Sequence, residues 1–93
     1  MKLSGAQVAA ARELLKITQA ELAAACGLGL QTIFNFESGK HEPYATTVAK
    51  VRDELERRGI EFTNGTGIGV RLNFEKAAEF ARSVAHAQND SNR

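Results

Sequence analysis

A single cysteine, Cys26, in 93 residues excludes an internal disulfide. With only two histidines, His41 and His86, the chain is also poor in ligands for a zinc site. One proline excludes a proline-rich linker or a collagen-like repeat. No apolar run approaches the ~20 residues of a membrane span. The start, Met1-Lys2-Leu3-Ser4-Gly5, turns polar too early for a secretory signal. An excess of one charge is missing as well. Twelve Lys and Arg face eleven Asp and Glu, and segments 1–44, 45–72 and 73–93 each balance to within one charge. No basic block advertises nucleic acid. What remains is a cytoplasmic chain, 43% hydrophobic and 25% charged, long enough for one core.

What the chain does have is helix punctuation. Ser4 with Gln7, and Thr18 with Glu21, are capping-box pairs ahead of apolar residues at helical spacing. They predict helices over about 4–15 and 18–26, the second stopped by Gly27, which takes a left-handed cap at no steric cost. A third helix follows over 30–38, with Ile33 and Phe36 inward. A fourth spans 44–58, with Val48, Val51 and Leu55 as its seam. The period then changes to two. Ile60-Glu61-Phe62-Thr63 and Val70-Arg71-Leu72 flank Asn64-Gly65-Thr66-Gly67, which predicts a β-hairpin over 60–72 with room for a bulge at Gly67 and Gly69. Asn73 caps a last helix over 74–87, and the polar end frays. The expected fold is mainly α, divided into 1–59, an extension at 60–88 and a flexible tail at 89–93.

The chain carries no nucleophile–base pair and no paired carboxylates, so the reading is a non-enzyme without cofactor or metal. The run Asn64-Gly65-Thr66-Gly67-Ile68-Gly69 lacks the following Lys-Ser/Thr of a phosphate loop and reads as a turn. Cys26 reads as a small core hydrophobe.

Residues 18–37, TQAELAAACGLGLQTIFNFE, are the informative stretch. Two short helices joined by a tight Gly turn fit a helix-turn-helix. Ala23 permits close packing, while Leu22, Cys26, Leu28, Ile33 and Phe36 set the interhelical angle. The run Gln19-Ala20-Glu21-Leu22-Ala23, then Gly27, Thr32-Ile33 and Glu37-Ser38-Gly39-Lys40, resembles the phage repressor/Cro class, the XRE family, over about residues 5–58.

That resemblance implies that the third helix is the recognition helix and that double-stranded DNA is the partner. It places Leu30, Gln31, Thr32 and Asn35 toward the groove, Gln19 on phosphate, and Lys40 and His41 beside the backbone. Gln31 and Asn35 are amides suited to adenine, and Thr32 and Leu30 to a thymine methyl. The resemblance also pairs Arg12 with Glu37. Gly29 replaces the usual Ser/Thr cap, Glu42 stands where basic residues are common, and Phe34 takes an often polar position. The expected function is repression by a homodimer at an inverted repeat. The dimer is expected to form through the extension at 60–88, with two candidate surfaces: the edge of the hairpin, and the last helix with Phe74, Ala77, Phe80, Ala81 and Val84 as its apolar stripe. The competing expectation is an XRE-fold protein-interaction module, or an antitoxin that binds a partner protein and regulates its own operon.

Overall fold

The computed structural model describes residues 2–91, with side chains through Ala85, so the expectations for His86 and for Asn92 and Arg93 lie outside it. Among the described residues the order is α1 (Gly5–Leu15), α2 (Gln19–Cys26), α3 (Leu30–Ser38), α4 (Ala45–Arg57), β1 (Ile60–Thr63), β2 (Gly69–Leu72) and α5 (Phe74–Ser91). Ser4 and Thr18 form their capping boxes, each accepting from the backbone N–H of the third helical residue. Gly27 ends α2 at φ 68°, and its N–H closes back onto Ala23 and Ala24. Gly29 caps α3 without a side-chain bond, and the helix forms nonetheless.

One cluster holds the molecule together: Leu3, Val8, Ala11, Leu22, Ala23, Ile33, Phe36, Val51, Leu55 and Ile60 are buried in it. Phe62, Val70 and Leu72 pack against it from the hairpin, so the apolar face of that ribbon lies on the helices. The two strands pair in antiparallel register from Ile60 opposite Leu72 to Thr63 opposite Gly69. The ladder is regular, so no bulge interrupts it. The glycines sit in the connecting turn and at the first paired position instead.

Buried Gln7 ties the hairpin to α1. Its amide nitrogen donates to Thr63 O, Asn64 Oδ1 and Gly69 O at 3.1–3.2 Å, while its Oε1 accepts from Ser4 N. A capping residue thus also satisfies a distant turn. Glu54 of α4 is also buried, and its carboxylate accepts from Arg57 and Arg58, at 2.7 Å from Arg58 Nε.

Two expectations for the last helix change. The helix extends to Ser91, four residues past the expected end at 87. The apolar stripe also splits. The guanidinium groups of Arg57 and Arg58 each stand 4.8 Å from the centre of the Phe80 ring, and Ala77 backs onto Gly59. These two residues fasten α5 to its own α4. Phe74, 81% exposed, and Ala81 are left uncovered, with Val84 only marginally covered. A stripe more than ~100° wide can serve two neighbours, and here its halves point to different places.

Candidate nucleic-acid interface

The α2–α3 pair presents one face outward because the other is locked. Leu22 and Ala23 from α2 and Ile33 and Phe36 from α3 are buried against α1 and α4. At ~100° per residue, fixing Ile33 and Phe36 inward turns Gln31, Phe34 and Asn35 outward, with Leu30 and Thr32 on the two flanks. Leu30, Gln31, Thr32 and Phe34 are exposed, and Asn35 is half-buried.

Gln31 and Asn35 sit one turn apart, and Gln31 Nε2 donates to Asn35 Oδ1 at 3.0 Å. This bond uses one donor and one acceptor and holds the amides side by side. Gln31 Oε1 and the Asn35 Nδ2 protons take no partner among the described side chains, so the pair keeps both acceptor and donor capacity of the kind a base edge such as adenine's offers to meet. Phe34 lies beside them, and the Lys40 ammonium stands 5.7 Å from its ring centroid. The ring thus has a cation beside it at the end of the helix.

Behind the exposed face, Arg12 and Glu37 form a two-pronged pair. Nε donates at 2.7 Å and the terminal nitrogen at 2.8 Å, and Arg12 also donates to Ile17 O. The Glu37 side chain is 7% exposed and that of Arg12 19%. The hydrogen bond to Glu37 holds the guanidinium above its ordinary pKa, against the opposing effect of burial. Gln19 Nε2 donates to the same carboxylate at 3.1 Å. Glu37 therefore joins α1, the start of α2 and the end of α3. Gln19 is oriented by this network while staying at the surface of a cleft of about 620 Å³ that also includes Lys16 and Leu30.

On the opposite flank of α3 a second cleft, about 460 Å³, is lined by Thr32, Asn35, His41, Tyr44 and others. Lys40 and His41 are exposed in the loop after α3. Tyr44, 84% exposed at the start of α4, joins this surface and was not singled out from the sequence. Its only sequence signal is an aromatic directly before a helix, which is weak. The structure thus arranges Gln19 and Leu30 along one cleft, Thr32 and His41 along the other, and Lys40 beside Phe34. The dimer-stripe residues lie on a separate element, α5.

Cys26 is half-buried, and its Sγ donates toward Lys50 O at 3.8 Å. Burial, reinforced by Glu54, raises the thiol pKa, the opposite of what a reactive thiol needs. None of the described helices is long and apolar enough to cross a membrane. No curated protein matches the chain. The helix-turn-helix family model matches residues 8–61, more than half the chain, and the chain therefore belongs to that family, as a DNA-binding regulator of the XRE type.

Proposed function

We propose that the chain is a sequence-specific repressor that binds an inverted-repeat operator as a dimer, with α3 of each copy in the major groove. The observation that carries this reading is the hydrogen-bonded Gln31–Asn35 amide pair on the outward face of α3, which keeps acceptor and donor capacity for a base edge. Gln19, Lys16, Lys40 and His41 flank that pair and supply backbone contacts, which position the helix without reading sequence. Phe34 and Leu30 give the face an apolar part that suits a thymine methyl next to the adenine. A lone α3 covers too few base pairs for operator specificity, which is the physical reason for two copies.

A protein-interaction role is the second reading. It is favoured by the balanced charge and by the exposure of Leu30 and Phe34 on the same face. Selection from a random duplex library at low salt separates the two. The repressor reading expects enrichment of a two-fold-symmetric site with adenine and thymine in each half and half-sites ~34 Å apart. Retention of DNA with no enriched sequence overturns it.

A further inference from the structure

We infer that α5 pairs antiparallel with α5 of a second copy through Phe74, Ala78, Ala81 and Ala85, flanked by reciprocal Glu75–Arg82 ion pairs. This rests on the dimeric reading above and specifies the surface and its orientation.

The inference starts from which half of α5 is occupied. Ala77 and Phe80 face Gly59, Arg57 and Arg58 of their own chain. Phe74, Ala78, Ala81 and Ala85 are all exposed. Their spacing of four, three and four residues is that of a seam between two helices, and three alanines let the backbones approach closely.

The charges then choose the partner and its direction. Glu75 and Arg82 are one heptad apart, so they project from the same flank of the seam, about two turns from each other. In an antiparallel two-fold pair each flank meets the same flank of the other copy, running the other way. With Ala78 packed opposite the partner's Ala81, Glu75 comes opposite the partner's Arg82, and the reverse pair follows by symmetry. A parallel pair would bring this flank against the opposite one, which holds Ala77 and Val84 and is partly used by α4. The surface is thus complementary to itself, in one orientation. Among the described side chains the seam runs over about three turns, a short contact, so the unaided dimer should dissociate in the micromolar range.

Charge reversal tests both the surface and its direction. Arg82→Glu gives each homodimer two Glu–Glu encounters, and Glu75→Arg gives two Arg–Arg encounters. Both positions are exposed, so the helical circular dichroism of each variant should match that of the parent chain. Sedimentation equilibrium on the full chain should show each variant dimerising about five- to tenfold more weakly. An equimolar mixture of the two should recover the parent affinity, because both encounters become opposite in sign. A parent chain that is monomeric at tens of micromolar overturns the dimeric reading together with this inference. A dimer indifferent to both reversals, or one weakened by each without recovery on mixing, leaves dimerisation standing and overturns the antiparallel α5 seam.

Discussion

At the scale of single residues, Glu37 is the side chain that joins α1, α2 and α3. It is 7% exposed and answers Arg12, itself mostly covered, and Gln19. Removing it strands a guanidinium whose charge cannot be shed, because an arginine stays protonated across the working pH range even without its partner. Glu37→Ala should therefore destabilise the domain by about 3 kcal/mol, near the lower end for a broken buried pair, since Arg12 can partly rehydrate. A fall in melting temperature of more than ~10 °C is expected for a domain of this size, and a fall under ~4 °C would reduce the network to surface charges. Gln31 is the converse. It is exposed and bonds only to Asn35 among the described side chains, so Gln31→Ala should leave the melt unchanged. It should weaken operator binding by ~1–3 kcal/mol and relax preference at one base position. An unaltered site preference in a binding titration would remove Gln31 from base readout.

Between elements, the decisive contacts are backbone approaches that no side-chain pattern records. Gly5 opens α1 against the far end of α3, where an added Cβ would stand 2.2 Å from Phe36 O and 2.7 Å from Glu37 O. Gly5→Ala must separate the two helices, at a cost of about 2–3 kcal/mol. Thermal or urea melts followed by circular dichroism should show the loss, and unchanged stability would mean the helices can slide apart freely. The sequence marks Gly5 as an ordinary first-turn residue, because capping and periodicity are local signals. Those same signals locate Ser4, Thr18 and Gly27 and so the helix boundaries, since caps act within a few residues of themselves. They miss Gln7, which caps locally and also satisfies a turn more than 50 residues away. Buried Glu54 is missed for a related reason: a charged side chain on a helix reads as solvated until its arginine partners are placed around it. The stripe on α5 was visible as a width. Which half lies on α4 depends on the docking angle set by Arg57, Phe80 and Arg58, a tertiary fact.

For the whole molecule, the question is how a chain with net charge +1 holds a polyanion. The ion pairs show where its cations go. Arg12 is committed to Glu37, Arg57 and Arg58 to Glu54, and Arg71 and Lys76 to Glu61, while Lys2 meets Glu42 in an exposed surface pair. Glu61 gains from this arrangement: hydrogen bonds from Arg71, Lys76 and Asn73 hold its carboxyl below the ordinary range. Its contribution to stability is thus present above that range and lost as pH falls through the lowered value. Beside α3, Lys40 stands over Phe34, and Lys16 has only a loose surface contact with Glu13 at 3.7 Å. Two such cations per copy would neutralise about four phosphates per dimer, and each contributes ~0.9 to the slope of log K against log salt. The slope should therefore lie near −4, and raising salt from ~50 to ~200 mM should weaken operator binding by about 150- to 250-fold. A fluorescence-anisotropy titration across that range measures it directly. A slope as steep as −8 would mean that arginines now assigned to internal pairs leave them to meet the backbone. A slope near −4 places the specificity of the complex in the amides and apolar groups of α3, with charge setting only its orientation on the duplex.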